Sequence, residues 1–183
     1  LFIKIIISSI PVMIAGYILV KLNLIDLLRN VKIIGWTTIL FSFLLFLSDK
    51  VKIERKIDHN FTFKSAIFIG FFQILSLIPG VSRSGITITA ARMLRFDRFD
   101  SAKISFFLSI PTLAAVSFFG LNNLIISENL NFSTLNLVAI FLSFIFSFIT
   151  IKIFLNFIKK FSLTVFVIYR VILGMILLFF AYL

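Results

Sequence analysis

Apolar residues run along this chain in long stretches, and charged residues are confined to the short segments between them. Ile5 to Val20 is uncharged and flanked by Lys4 and Lys21, about the length that one membrane-spanning helix needs. Pro11 and Gly16 within it are tolerated in membrane helices. Ile33 to Leu47 predicts a second span, with Trp36 where interfacial aromatics sit. Ile104 to Leu121, Leu135 to Ile151 and Val165 to Leu183 predict three more, the last interrupted only by Arg170.

Two apolar runs break this rhythm. Ser65 to Ile78 gives roughly 21 Å of helix at 1.5 Å per residue, and Ser84 to Leu94 gives less. A hydrocarbon core is about 30 Å thick, so neither run spans it alone. Lys64 precedes the pair and Arg92, Arg95 and Arg98 follow it. The pattern predicts a re-entrant helical hairpin over about 65–95; the alternative is one kinked span of about thirty residues.

Composition fits the pattern. The chain is 61% hydrophobic and 14% charged, which excludes a soluble globule with a polar skin. A net charge of +11 would suit nucleic acid, but the cations sit in short loops between apolar runs. That is the look of cytoplasmic loops, so the expected partner is the lipid bilayer and not nucleic acid. Segments 48–64, 92–103 and 152–160 are rich in Lys and Arg and are expected on the cytoplasmic side. Segment 122–134 has neither and is expected outside. Loop 21–32 falls on the outer side in this scheme despite its three cations. With no cysteine, disulfides and thiol chemistry are excluded. The chain starts at Leu1 within an apolar run and without Met, as expected of an N-terminally incomplete piece of a longer protein. The fold class expected is an all-α polytopic membrane protein, with residues 1–183 forming a single membrane domain.

The chemistry concentrates between the two short runs, in the segment Ile78 to Gly85. Pro79 and Gly80 stop the first arm, since Pro cannot continue a helix and Gly accepts unusual backbone angles. Ser82 is a preferred N-cap for the second arm, whose first peptide N–H groups are unpaired and carry the positive end of its dipole. Arg83 adds a guanidinium there, and Ser82 and Ser84 add hydroxyls. Together they suit an anion with several oxygens, most plausibly phosphate. In a soluble loop such an arginine is merely solvated; between apolar arms a charge is costly and usually functional. Thr87, one turn on, supplies a further hydroxyl unless it bonds back to its own helix. Gln73, on the first arm, faces the same cavity or packs as an amide. Gly85 permits the close approach of a ligand or of another helix.

Other charged residues read as structural. Arg92 and Arg95 suit the negative end of the second arm and the membrane interface. Arg170 snorkels to that interface from the start of the last span. His59, the only histidine, lies in a charged surface loop. The seven acids, Asp26, Asp49, Glu54, Asp58, Asp97, Asp100 and Glu128, all fall in loops or at span ends. No metal-ligand spacing is present. Phosphoryl chemistry wants a base and commonly a metal, so these residues read as half a site.

The stretch from Gln73 to Thr87, with Pro-Gly-Val-Ser-Arg-Ser-Gly-Ile-Thr at its end, resembles the undecaprenyl-diphosphate phosphatase family of bacterial inner membranes, the bacitracin-resistance type. The likeness extends to Phe106–Pro111 and to Phe166–Arg170, and covers essentially the whole chain in order. It implies a multi-pass inner-membrane hydrolase built of two inverted repeats, each with a re-entrant hairpin. The enzyme it implies takes the terminal phosphate from a C55 isoprenyl diphosphate, regenerating the lipid carrier of peptidoglycan synthesis. It also implies a divalent cation, Mg or Ca, and it leaves a homodimer open. The motif carries phosphate-binding roles to Ser82, Arg83, Ser84 and Thr87, and a catalytic role to Arg83 and Ser82. Gln73 is the nearest echo of the family's paired glutamates. The family's Glu-x-x-x-Glu and Pro-Val-Ser-Ser-x-Gly-His stretches have no counterpart here, so this chain by itself is expected to be inactive, its metal ligands and base lying elsewhere. Two rivals stand beside this reading. One is a carrier for an anion or lipid phosphate, since broken helices aimed at an anion are also a transporter device. The other is a scaffold with Arg83 as an internal strut.

Overall fold

A computed structural model describes residues 1–22, 29–126 and 134–183, without the side chains of 122–126, 134 and 135. Its helices are α1 (Phe2–Lys21), α2 (Val31–Asp49), the single turn α3 (Ile57–Asn60), α4 (Phe63–Ile74), α5 (Arg83–Met93), α6 (Arg98–Ile126), α7 (Thr134–Lys160) and α8 (Thr164–Tyr182). A 3-10 turn, Leu75–Leu77, extends α4. Helices α1, α2, α6, α7 and α8 are long and apolar enough to cross a membrane. The chain is an all-α, multi-pass membrane protein. Large apolar side chains such as Phe118, Phe144 and Phe180 cover its outside, as a lipid solvent allows. The expected outer segment 122–134 and loop 21–32 lie largely outside the described residues, as do Asp26 and Glu128.

The helices begin where polar side chains satisfy their first N–H groups. Asn30 accepts from Lys32 N at 2.9 Å to start α2, and Thr62 accepts from Ser65 N at 3.2 Å to start α4. Helix α6 begins at Arg98, well before the apolar run at Ile104, because Asp97 accepts from Asp100 N at 2.7 Å. Charged residues extend a helix readily once its end is capped, and hydropathy alone does not see them.

Small residues set the closest approaches. As residue numbers rise on α2 they fall on α8, and Gly35 lies against Gly174. A methyl added to Gly174 would meet Ile39 at 2.6 Å and the Gly35 carbonyl at 3.1 Å. Helices α1 and α4 touch at Gly70, where a methyl would sit 2.2 Å from the Ser8 carbonyl. Helix α5 packs between α2, α4 and α6. Helix α7 leans on α6 and on the start of α8 through Phe154, whose ring lies 5.7 Å from Phe106 and 5.2 Å from Phe166.

Helices α4 and α5 turn back on each other as a hairpin. The N–H groups of Glu54 and Arg55 both donate to the Arg95 carbonyl at 3.1 Å. Ile57 N donates to Asp100 Oδ2 at 2.9 Å. The segment before α4 is thus stitched to the segment after α5, which a single kinked span would hold a membrane's thickness apart.

Arg92, at the end of α5, is enclosed by the protein. It is 1% exposed and donates to the carbonyls of Phe96, Asp49 and Val51 at 2.6–2.8 Å. Its role is structural, as the sequence suggests. Its burial follows from these carbonyls, two of which, Asp49 and Val51, come from the end of α2 and the segment after it, 43 and 41 residues away in sequence.

Candidate functional site

The hairpin tip, Ile78 to Ser82, is built by its neighbours. Gly80 has φ +88°, and a methyl there would stand 2.2 Å from Thr37 Oγ1, so this position needs glycine on both counts. Thr37 of α2 donates to the Pro79 carbonyl at 2.7 Å, and Thr38 donates to the Gly80 carbonyl at 3.2 Å. Arg170 of α8 donates through Nη2 to the same Gly80 carbonyl at 3.0 Å. Three side chains from two spans therefore hold the turn, together with its own bond from Val81 N to the Ile78 carbonyl at 3.1 Å.

The tip ends on Ser82, which caps α5 by accepting from Gly85 N at 3.1 Å. The Ser82 and Ser84 hydroxyls are 3.2 Å apart at the helix mouth. This places two hydroxyls and the first-turn N–H groups on one side of the tip. Arg83 leaves on another side, toward α6, where Nη1 donates to Thr112 Oγ1 at 2.9 Å. That contact uses one of its five N–H groups.

The remaining motif residues stand back from this mouth. Thr87 is fully buried, its hydroxyl 2.9 Å from the Arg83 carbonyl and 2.7 Å from Ser105 Oγ. It braces the first turn of α5 against α6. Gln73 is also fully buried, one turn beyond the close contact at Gly70, and its amide has no hydrogen-bond partner among the described residues. His59 lies at the base of the hairpin, beside a separate polar hollow with Arg55 and Lys64.

A groove of about 510 Å³ opens beside the mouth, between α2, α5, α7 and α8. Ser82, Ser84, Thr38 and Arg170 form its polar middle. Ile34, Leu173 and Leu177 line one end and Leu45, Phe154 and Phe166 line the other. Such a groove suits an amphiphile with an anionic group and a long apolar tail. None of its lining residues is a carboxylate or a histidine. Among the described residues no three of His, Cys, Asp and Glu come together. The donor set of a divalent cation is therefore not furnished by these residues.

Arg170 corrects the sequence reading. It does not snorkel outward; it bonds to Ser42 and Gly80 and lines the groove. The attraction is a row of hydroxyls on α2, with Thr38 and Ser42 four residues apart on one helix face. A matching row, Ser101, Ser105, Ser109 and Thr112, marks the face of α6 that meets Thr87 and Arg83. Polar rows at this spacing in apolar helices are the signal that would have found both.

A family model described as bacitracin resistance protein BacA matches residues 1–176. The chain is 55% identical over 173 residues to an undecaprenyl-diphosphatase of Pelagibacter ubique, covering 94% of this chain and 67% of that protein. It is 40% identical over 177 residues to an undecaprenyl-diphosphatase of Roseobacter denitrificans, covering 97% and 66% respectively. One from Jannaschia is 38% identical over the same length. The chain spans about two thirds of the length of these curated relatives.

Proposed function

This chain belongs to the bacitracin resistance protein BacA family, and from that premise we propose that the protein containing it hydrolyses undecaprenyl diphosphate to the monophosphate and inorganic phosphate. The observation that carries this reading is the hairpin tip. A capped helix N-terminus, two hydroxyls and the Arg170 guanidinium line an apolar groove, and the Arg83 guanidinium leaves the same tip on its α6 side. Neither Arg83 nor Arg170 has a carboxylate partner among the described residues. A membrane protein that gathers positive charge without balancing it is built to receive an anion. The groove offers the apolar surface that a prenyl chain needs.

In this reading the α5 N-terminus and the hydroxyls of Ser82 and Ser84 donate to phosphate oxygens. Arg83 neutralises the charge that develops as the terminal phosphoryl group passes to water. Thr87 braces the first turn of α5 from behind, and Gln73 lies buried in α4. A divalent cation would supply further charge neutralisation; its ligands are not assigned among the described residues, and the roles above are independent of it. Residues 1–183 act as one membrane unit, in a bacterial inner membrane, with the hairpin entering part-way into the bilayer.

The test is phosphate release from a prenyl diphosphate by the full-length protein in detergent. Lysine cannot reproduce the planar fork of a guanidinium. Arg83→Lys is expected to lose about 2–4 kcal/mol of transition-state stabilisation, a drop in rate of about 30- to 900-fold. Release by the lysine variant at the wild-type rate would remove Arg83 from the reaction.

A further inference from the structure

Arg170 is held at two of its three nitrogens. Nε donates to Ser42 Oγ at 2.9 Å and Nη2 to the Gly80 carbonyl at 3.0 Å. These bonds fix the plane of the guanidinium and leave Nη1. A methyl built on Gly85 would lie 3.4 Å from Nη1, so that nitrogen is set against the first turn of α5. There it lies beside the positive end of a helix, and Arg170 lines the same groove as Ser82 and Ser84. Two positive features thus point at one place, and no carboxylate answers them among the described residues. Such an arrangement is unfavourable in an apolar protein unless an anion joins it.

The groove distinguishes the two arginines. Arg170 lines it, next to the apolar wall made by Ile34, Leu173 and Leu177, whereas Arg83 is turned toward Thr112 of α6 and is not part of the lining. A prenyl diphosphate lying in the groove brings its ester-linked phosphate to the side where the chain is. We propose that Arg170 Nη1 holds this chain-linked phosphate, leaving Arg83 to the terminal one across the mouth of α5. The assignment rests on the phosphatase reading above. Its consequence is an unequal division of labour. The monophosphate product keeps its contact with Arg170 and loses its contact with Arg83. Arg170 then sets affinity for substrate and product alike, while Arg83 sets the rate of transfer.

The experiment measures kcat, KM and inhibition constants for prenyl monophosphate and inorganic phosphate in the full-length protein. Arg170→Lys is expected to raise KM and the prenyl monophosphate inhibition constant by about tenfold. The effect on kcat is expected to be smaller, and inhibition by inorganic phosphate should not change. A brace for the tip without a phosphate contact would instead lower kcat and leave monophosphate inhibition as it was, and that result overturns the proposal. If the lysine variant does not fold, Arg170→Gln carries the test, because its amide can still donate to the Gly80 carbonyl while the charge is gone. Weaker monophosphate inhibition supports the assignment and unchanged inhibition overturns it. Absence of hydrolysis by the wild type would count against the phosphatase reading alone. Direct binding of prenyl monophosphate to wild type and Arg170→Lys then decides the second point, equal affinities counting against it.

Discussion

At the base of the hairpin, Arg92 is closed in by three carbonyls, and Asp49 Oδ1 lies 3.7 Å from its Nε. The same carboxylate receives both Nε and Nη2 of Arg98, at 2.7 and 2.9 Å, and the N–H of Leu163 at 3.2 Å. At the tip, Arg83 and Arg170 have no carboxylate among the described residues and have donors to spare, and Arg170 lines an open groove. Both ends bury arginine in an apolar setting. The difference is what answers the charge. Where the protein supplies the carboxylate and carbonyls itself, the arginine is a brace between loops. Where the described residues supply only hydroxyls and one carbonyl, the guanidiniums keep donors free for an anion.

This contrast is most severely tested at the base. Asp49→Ala leaves Arg92 and Arg98 without their carboxylate, and loss of one partner of a buried pair costs about 3–5 kcal/mol. The expected result is a large fall in the unfolding temperature of the detergent-solubilised protein. A stability near wild type would mean that the base is not held by this pair. Gly80→Ala is the matching test at the tip. A left-handed conformation costs a non-glycine residue about 1–2 kcal/mol, and the methyl also collides with Thr37 Oγ1. A smaller loss of stability is expected than for Asp49→Ala, with a clear loss of phosphate release because the turn that aims Ser82 must shift. Full activity in the alanine variant would uncouple the turn from the site.

Much of this arrangement was legible in the sequence. The five spans follow from uninterrupted apolar runs, because lipid leaves the backbone few alternatives to helix. The short arms and the Pro79-Gly80 break mark the hairpin, and Ser82 marks the cap. Helix ends were less legible: Asp97 starts α6 in a charged segment that hydropathy assigns to a loop. The role of Arg170 was misread because its partner Ser42 lies 128 residues away. One residue's surroundings say little when the decisive contact comes from another span. Gln73 illustrates the converse. The sequence places it near the tip, but only packing shows that its amide faces the protein interior.

The division between a closed base and an open tip is tested most directly by equilibrium binding to the full-length protein. A methylene-bridged prenyl diphosphate, which resists hydrolysis, serves as the probe. Arg83→Gln removes charge-assisted hydrogen bonds worth about 1.5–3 kcal/mol and should weaken binding by at least about tenfold. Arg95→Gln removes an equal charge from the base of the same hairpin, where the exposed side chain pairs with Glu54, and should leave the affinity unchanged. Equal losses in the two variants, or none at Arg83, would contradict the assignment of the anion site to the tip.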